Sequence, residues 1–580
     1  MLTRECLWMA LQDSAITELP GRINRLPLVL LVPIFILGCF SCTGVPAKAS
    51  KVYYINPAMG SDANDGLHMT SPFKSLRALG TIALNAGDSV LLAADQTFTY
   101  PLILENVHGT KQKPIVISHY NGTAPARIVT TGHISTVLVA NSSYVEVNNL
   151  SVTAGKGEAV TKGTAGNMRC GVLVIATEPG EYEHIYLTKL KVQDVFYEAP
   201  GFKRPAGEVK TANGTQSYGW GIRVINKSDE AILRDVRVLS CSIDNVGHTG
   251  IKFTTWKKGK EYKDNHGRHG IIGFEVAMNT VSGTGGPGIQ MSGVKNGHVH
   301  HNTVDRSGSN DDTRKWGRGS GLWTWGSKKV LIENNRFTNA NGPGDSAGAH
   351  IDFNCSDIVM QYNFSANNAG GFCEILGNNY NCAYRYNISV NDGHRVKGEE
   401  GAFQEGKTFW LSGYCNGKRR GPYNSYFYNN TIYVNRDIVS KIAIDRVADG
   451  VLIANNIFHI EGDSKMVKGD QYNPETDGEW KVSDVFFQNN LFLTTKSWPS
   501  EQRLQDGMPL YGTVEFANLG GMDIVDYRPV NKEMVVDKGI EIPKLEKDSL
   551  GLAYGLAMEK DILGNPIDGL PDLGAIEMNK

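Results

Sequence analysis

The sequence is short of proline, of a dominant charge and of long apolar runs. Its 580 residues include 22 prolines, and 58 basic side chains stand against 60 acidic ones. The near-zero net charge excludes a polycation built to grip nucleic acid, so we expect no nucleic-acid partner. With 41% hydrophobic and 20% charged residues the chain can form a sizeable core, which excludes a disordered acidic protein. The 65 glycines indicate a chain that turns often.

One apolar run, residues 26–37, follows Arg22 and Arg25 and precedes Gly38-Cys39. A basic start, an apolar stretch of about a dozen residues and a small residue before the cut are typical of a signal peptide. The run is too short for a membrane-spanning helix. We therefore predict a signal peptide with an N-terminal extension over residues 1–38.

The end of this run, Ile36-Leu37-Gly38-Cys39, resembles a bacterial lipobox, in which the cysteine becomes the lipidated first residue. The resemblance implies lipidation at Cys39, a tether over residues 39–50 and a membrane contact through the lipid. The expected location is the cell envelope of a Gram-negative bacterium, on the outer membrane or the periplasmic side. Cys42 is a second candidate for lipidation, and a plain secretory signal or a membrane anchor is the alternative.

Cysteines are few, and their spacing matches no metal site. Nine are present, and none of them forms a CxxC or a Cys/His zinc pattern, so we predict no metal ligands among them. An exported protein permits disulfides, and Cys373 with Cys382 is a conceivable pair. Most of the others we expect to be small buried residues.

A short pattern containing asparagine recurs through the second half of the chain. Its copies are mostly about 23 to 34 residues apart, which indicates a solenoid of stacked turns. The copies are Met278-Asn279-Thr280-Val281, His301-Asn302-Thr303-Val304, Asn334-Asn335-Arg336-Phe337, Tyr362-Asn363-Phe364-Ser365, Tyr386-Asn387-Ile388-Ser389, Asn429-Asn430-Thr431-Ile432, Asn455-Asn456-Ile457-Phe458 and Asn489-Asn490-Leu491-Phe492.

The segments between these asparagines are short, alternating and rich in β-branched residues, as in Val330-Leu331-Ile332-Glu333. Long amphipathic helical patterns are absent there, which argues against helical repeats. An asparagine at the same corner of every turn can adopt a left-handed or bridging backbone and bond to its copies above and below. We therefore predict an all-β fold, a right-handed parallel β-helix solenoid with an N-terminal cap.

The start and end of the chain resemble the secreted pectate-lyase-like β-helix proteins, a family that hosts hydrolases, lyases, esterases and epimerases. The overall resemblance is closest to β-helix glycosidases such as glycoside hydrolase family 141, whose members cleave fucosides or xylans. We expect the cap and first strands over residues 51–130, the β-helix over 131–500 and a packed C-terminal segment over 501–580. The motifs are Tyr53-Tyr54-Ile55-Asn56-Pro57, Gly60-Ser61-Asp62, Asn64-Asp65-Gly66, Ser71-Pro72-Phe73-Lys74-Ser75-Leu76, Lys113-Pro114-Ile115-Val116-Ile117 and Asp572-Leu573-Gly574-Ala575-Ile576-Glu577.

Residues that point outward at equivalent positions of a β-helix form a column, because successive turns stack about 4.8 Å apart. The strand before each asparagine corner predicts such a column of polar, charged and aromatic side chains. Its predicted members are Arg223, Lys252, Gln290, Trp323, Trp325, His350, Asp352, Phe372 and Glu374, followed on the next turn by Phe403, Gln404 and Glu405.

Exposed tryptophans beside carboxylates are what a sugar-binding cleft requires. We predict that Trp323 and Trp325 stack on sugar rings. We further predict that His350, Lys252, Arg223, Gln290 and Glu405 contact the substrate. The alternatives are a tryptophan that anchors a loop and a histidine with a structural hydrogen bond.

Asp352 and Glu374 lie one turn apart in this alignment, which would put their carboxyl groups about 5 Å apart. That separation suits the nucleophile and acid/base of a retaining glycosidase, whereas Asp352 with Glu405 would leave room for the water of an inverting enzyme. We predict Asp352 and Glu374 as the catalytic pair, and one of two carboxyls held this close should have a raised pKa. The loop carboxylates Asp345, Asp392, Glu399 and Glu400 are further candidates.

Two other functions fit the same column. In a lyase acting on a uronate, Lys252 and Arg223, with Lys397 or Arg395, would neutralise the sugar carboxylate, with Ca²⁺ as a possible cofactor. A non-catalytic glycan-binding surface protein would need the aromatic residues but not the acids. We favour a monomeric hydrolase without a cofactor, acting on a plant or algal polysaccharide or oligosaccharide.

Overall fold

The computed structural model describes residues 49–156, 168–211, 217–256, 269–415, 417–468, 484–498 and 506–578. From Ser50 onward these residues belong to one compact unit. The predicted signal peptide, Cys39 and Cys42 lie outside the described residues. None of the helices in the described ranges is long and apolar enough to cross a bilayer.

The unit is a parallel β-helix, which confirms the predicted fold class. Each full turn of the chain contributes one strand to each of three parallel sheets, named sheets 1, 2 and 3 in the order in which a turn visits them. Every strand pairs only with the equivalent strands of the turns before and after it, so alternate side chains of each strand point inward. In Val145–Asn148, for example, the two valines are buried while Glu146 and Asn148 remain half-buried.

The described residues form the following strands. Sheet 1 contains Leu102–Glu105, Ser135–Ala140, Arg169–Ala176, Gly219–Asn226, Ile251–Thr255, Ile289–Ser292, Leu322–Trp325, Ala349–Ile351, Gly371–Ile375, Lys407–Leu411, Ser440–Ile444 and Ser464–Met466. Sheet 2 contains Val52–Ile55, Ser89–Ala93, Ile115–Tyr120, Val145–Asn148, Gly180–Thr188, Ala231–Leu239, Ile271–Ala277, Val294–His300, Lys328–Glu333, Ser356–Gln361, Ala383–Arg385, Tyr423–Tyr428, Asp449–Ala454 and Asp484–Gln488. Sheet 3 contains Thr97–Phe98, Ala126–Thr131, Leu150–Lys156, Lys191–Val195, Ser242–Val246, Thr280–Thr284, Thr303–Asp305, Arg336–Thr338, Phe364–Ala366, Ile388–Val390, Thr431–Val434, Ile457–Ile460, Leu491–Phe492 and Leu510–Tyr511.

Short elements complete the fold. Tyr414–Cys415 and Lys418–Arg419 form an antiparallel hairpin beside sheet 1. Short 3₁₀ helices are formed by Leu76–Thr81, Glu208–Lys210, Ile524–Tyr527 and Lys532–Met534. The C-terminal segment packs on the outer face of sheet 2, where Leu545 and Leu552 cover Val359 and Leu452.

The asparagine ladder lies at the corner between sheets 2 and 3. In each step the Nδ2 group donates to the Oδ1 atom of the asparagine on the next turn at 2.9–3.0 Å. The same Nδ2 group also donates to a strand carbonyl, such as that of Met360 for Asn387. The ladder ends at the backbone N–H of Cys241 on one side and at the carboxylate of Asp506 on the other.

The left-handed backbone lies one residue before each ladder asparagine, which corrects the expectation that the asparagine adopts it. Met278, His301 and Tyr362 have φ values of 57, 53 and 57°. This placement turns the asparagine side chain into the corner, where its amide satisfies backbone groups that a bend would otherwise leave unpaired.

All six described cysteines are buried and none of them forms a disulfide, Cys373 and Cys382 included. The conceivable disulfide between those two is therefore absent, and the expectation of small buried residues is confirmed for these six.

We expect Asn387→Ala to lower the free energy of unfolding by about 2–4 kcal/mol, because it removes buried hydrogen bonds to both neighbouring turns. The shift of the urea midpoint measures this loss. Asn518→Ala is the control, since that side chain is exposed and, among the described residues, bonds to Asp526 alone. Its expected loss is within about 0.5 kcal/mol, and an equal loss in both variants would contradict a structural role for the ladder.

Candidate functional site

The predicted column exists on the outer face of sheet 1. Strand register places Arg223 beside Lys252, Lys252 beside Gln290, Gln290 beside Trp323 and Trp323 beside His350. On the next turn Ile375 pairs with Ile351, which brings Glu374 beside His350. Asp352 is therefore diagonal to Glu374 rather than directly above it, a correction to the alignment made from the sequence.

A cavity of about 520 Å³ covers the C-terminal part of this column. Its lining combines aromatic rings with groups of both charges, the composition of a polar ligand site. The aromatic lining consists of Trp323, Trp325, His350, Phe353, Phe403, Trp410 and Tyr414, and the charged lining of Lys210, Arg318, Asp345, Asp352, Glu374, Arg395 and Glu405.

Two loops between sheets 3 and 1 form the wall opposite the strands. Residues 339–348 carry Asp345, and residues 391–406 carry Arg395 and Glu405. The loops are joined where Gln404 Oε1 accepts from the N–H of Asp345 at 2.5 Å. Arg395 donates to the carbonyls of Gly342 and Asp345 at 3.0 and 2.9 Å, so the wall is braced by hydrogen bonds.

Asp345 is held by Arg318. The Nε and Nη2 groups of Arg318 both lie 2.7 Å from Oδ2 of Asp345. Arg318 Nη1 also donates to the carbonyl of Val209 at 3.2 Å, and the guanidinium lies 5.2 Å from the ring centre of Trp316. Asp345, Val209 and Trp316 together hold the guanidinium, which in turn fixes the carboxylate of Asp345 at the cavity.

Asp352 is half-buried at the cavity wall, and its environment differs from that of Asp345. Burial raises the pKa of Asp352 to about 7 against the opposing hydrogen bond from the N–H of Phe353, and the negative charge of Asp345 raises it further. Arg318 acts in the opposite direction. That N–H donates to Asp352 Oδ1 at 2.8 Å and fixes the carboxyl group.

His350 is buried between its two register neighbours, Trp323 and Glu374. The ring centres of His350 and Trp323 are 5.5 Å apart. Its Nδ1 atom lies 3.1 Å from Oγ of Ser320. Burial is the main cause that lowers the pKa of His350 to about 4, so the imidazole is neutral at physiological pH.

The remaining cavity residues come from different elements. Glu374 and Trp410 are paired neighbours on adjacent strands, and both are buried at the cavity wall. Glu405 lies in the loop before the strand Lys407–Leu411, where Lys441 Nζ is 3.1 Å from its Oε1. The sequence placed Glu405 on the strand itself, which the structure corrects.

Arg223, Lys252 and Gln290 lie outside the cavity lining. Arg223 and Lys252 are buried, with their charged ends 4.1 and 4.9 Å from the ring centre of Trp220. Burial, together with the charge of Arg223, lowers the pKa of Lys252 well below its ordinary value. Their contact with substrate stays a prediction, at positions outside this cavity.

Other predicted positions are also corrected. Phe372 packs in the core against Tyr384 at 5.4 Å, because the start of its strand lies in a corner where successive side chains both turn inward. Asp392 accepts hydrogen bonds from the N–H of Asn368 and the hydroxyl of Ser389. These bonds lie at the corner between sheets 3 and 1, so the role of Asp392 is structural. Glu399 and Glu400 line a neighbouring cavity on the other side of the wall.

Sequence reasoning missed Trp410, Arg318 and Tyr414. The alternation of Phe409-Trp410-Leu411 is the signal that could have identified Trp410 as outward. Arg318 lies in a loop, where no periodicity indicates direction, and Tyr414 lies in a two-residue strand that is too short to show alternation. Within the described ranges, no group of three or more His, Cys, Asp or Glu side chains is arranged to hold a metal ion.

Comparisons with known proteins identify the fold. The model of the right-handed β-helix region matches residues 220–416. A lacto-N-biosidase of Bifidobacterium longum subsp. longum is 24% identical over an alignment covering 92% of this chain and 37% of that protein. The chain thus spans little more than a third of the length of this curated relative.

Solved structures give the same fold. The GH136 lacto-N-biosidase of Eubacterium ramulus has a TM-score of 0.54 at 23% identity, covering 72% of this chain and 67% of that one. An alginate lyase of family PL6 has a TM-score of 0.50 at 14% identity, covering 84% of this chain and 58% of that one. The described unit is therefore a right-handed parallel β-helix.

We expect Asp352→Asn to stabilise the protein at pH 8 by about 1–3 kcal/mol relative to the wild type. Because the pKa is raised from 3.8 to about 7, the contribution of Asp352 to stability is full below pH 3.8 and is lost as the pH rises to 7. Asparagine does not ionise, so Asp352→Asn keeps this stability at pH 8. At pH 4 the wild type keeps most of it as well, and the difference in the free energy of unfolding between the two proteins should be much smaller. Thermal unfolding at the two pH values measures the difference.

Asp311→Asn is the matched control, because the Asp311 side chain is 95% exposed. A gain for Asp352→Asn that is equal at pH 4 and pH 8, or a loss at pH 8, would show that Asp352 is not a buried carboxyl with a raised pKa.

Proposed function

We propose that the protein is a glycosidase that hydrolyses oligosaccharides in the cavity of sheet 1. The observation that carries the proposal is the contrast between its two aspartates. Asp345 is ion-paired with Arg318, whereas burial raises the pKa of Asp352 to about 7. Paired carboxyl groups in unlike environments are the usual arrangement of the two acids of a glycosidase.

Asp352 is the proposed general acid. With a pKa of about 7 it still holds a proton near neutral pH and can transfer it to the glycosidic oxygen as the bond to the anomeric carbon breaks. Water supplies the hydroxyl group to the anomeric carbon, and the leaving sugar departs with the proton of Asp352. The remaining proton of that water passes to the carboxylates of the site and restores the acid form of Asp352.

Asp345 is the proposed second carboxylate, with Glu374 as the alternative. The charge of Asp345 acts directly on Asp352, and Arg318 fixes its position at the cavity. Glu374 lies diagonal to Asp352 on the next turn and lines the same cavity. The pair Asp352 and Glu374 predicted from the sequence therefore stays a hypothesis that variants can decide.

Tryptophan rings are the proposed platforms for sugar. Trp323 and Trp325 belong to one turn of sheet 1 and Trp410 to another, and all three line the cavity. Indole faces bind the apolar faces of pyranose rings, while the charged groups bond the hydroxyls. A cavity of about 520 Å³ suits an oligosaccharide or the end of a chain.

The choice of substrate follows from the named relatives and from the sequence. The B. longum relative is called a lacto-N-biosidase, so oligosaccharides containing lacto-N-biose are the first substrates to test. Plant or algal glycans remain the expectation from the sequence. We propose that the protein acts as a monomer.

The proposed location is the bacterial cell envelope, with a lipid on Cys39. In cells fed a labelled palmitate, the wild-type protein should incorporate label and remain with membranes. Cys39→Ser should lose the label and be released. Cys42→Ser is the matched control, and loss of label from that variant alone would move the anchor to Cys42.

We expect the protein to release new reducing ends from a panel of lacto-N-biose-containing, plant and algal oligosaccharides. Asp352→Asn should lower kcat by at least about 10²-fold, the contribution of one acid–base group. In the wild type, kcat/KM should fall above about pH 7, as the proton of Asp352 is lost. Chromatography of the products and the rate profile against pH provide the measurement.

Asp345→Asn and Glu374→Gln identify the second carboxylate: the variant that loses at least about 10²-fold in kcat contains it. A product that absorbs in the ultraviolet, as an unsaturated uronate does, would show that the reaction is β-elimination and not hydrolysis. Full turnover in all three variants would remove the catalytic assignment.

A further inference from the structure

The hydrogen bond between Ser320 and His350 determines which ring nitrogen of His350 carries the proton. The Oγ atom of Ser320, on the preceding turn, lies 3.1 Å from Nδ1 of His350. The same Oγ accepts a hydrogen bond from the N–H of Ala347 at 3.1 Å. Both Ser320 and His350 are buried, so each of their polar atoms needs a defined partner.

The position of one hydrogen follows from these contacts. A serine hydroxyl has one hydrogen to donate, and one of its acceptor positions is already used by Ala347. Among the described residues, Nδ1 of His350 is the only acceptor within hydrogen-bonding distance of that hydrogen. The hydroxyl therefore donates to Nδ1, and the proton of the neutral ring must be on Nε2.

We propose that Ser320 is a positioning residue that fixes His350 as the Nε2–H tautomer, so that this N–H donates to an oxygen of the bound sugar. The inference rests on the proposed function and names the chemistry of one contact in that site. His350 lines the cavity, and no described residue bonds to its Nε2.

The neighbours of His350 define what this contact recognises. Trp323 flanks the ring on one side, and register brings Glu374 beside it on the next turn, about 4.8 Å away. The site thus presents an N–H donor beside a carboxylate acceptor next to an indole. A sugar that offers an acceptor oxygen and an adjacent hydroxyl on one edge of its ring matches this pattern. Burial, which lowers the pKa of His350 to about 4, keeps the donor from becoming a cation above that pH.

Two amide substitutions test which nitrogen donates. The side-chain nitrogen of glutamine reaches about the position of Nε2, and that of asparagine about the position of Nδ1. We expect His350→Gln to keep KM within about 3-fold of the wild type and His350→Asn to raise KM about 10-fold, the worth of one hydrogen bond. Since this contact binds rather than reacts, kcat should change less than KM in both. The reverse order of the two variants would overturn the proposal.

A second measurement does not depend on activity. With ¹⁵N-labelled histidine, NMR of the wild type should show a pyridine-type Nδ1 and a pyrrole-type Nε2 for His350, assigned by its absence in His350→Gln. Ser320→Ala should move this ring toward the other tautomer and raise KM. Ser425→Ala is the control, because that buried hydroxyl donates to the carbonyl of Tyr423 and should leave His350 unchanged.

The two readouts separate the possible failures. A pyrrole-type Nδ1 in the wild type overturns the proposal whether or not the protein hydrolyses sugars. The expected tautomer in a protein without hydrolytic activity would remove the proposed function; the contact is then tested by glycan binding to the wild type and the two amide variants, and equal affinity in all three overturns it.

Discussion

Backbone hydrogen bonds between successive turns are the constraint on which the rest of this structure depends. Each strand pairs with the equivalent strand of the turn before and after it, so a residue stands beside its counterpart about 4.8 Å away. A shift of one residue in any strand would turn its buried side chains outward, so the core fixes the register. A corner between two sheets, by contrast, accepts loops of very different length, because the strands on either side still pair as before.

The candidate site follows from this division between strands and loops. Strands of sheet 1 place Trp323, His350 and Glu374 in a row whose spacing the backbone sets. Loops add Asp345 and Arg318, which come from different turns and form an ion pair in the cavity lining. A carboxyl group such as Asp352 can therefore be enclosed without disturbing the core, since the loops that enclose it are not part of the sheets.

The same division explains what could be predicted from the sequence. The asparagine repeat and the alternation of strand residues were enough for the fold, the column and the ladder. The diagonal offset between Asp352 and Glu374 was not predictable, because it depends on where the intervening loop ends and pairing resumes. The ion pair of Arg318 and Asp345 was out of reach for a further reason: both residues lie in loops, where no periodicity indicates which side chains meet.

Enclosing Asp352 lowers the free energy of unfolding, and the rest of the fold must offset this loss. Above pH 7 the folded protein holds a half-buried charge that the unfolded chain would expose fully to water. The only described charge opposing this cost is that of Arg318, which is already bound to Asp345, so the two aspartates share one guanidinium. That sharing is what keeps their environments unlike: Arg318 can neutralise the carboxylate it touches, and the other carboxyl is left to retain its proton. Replacing the arginine would therefore affect both acids together, although it touches only one of them.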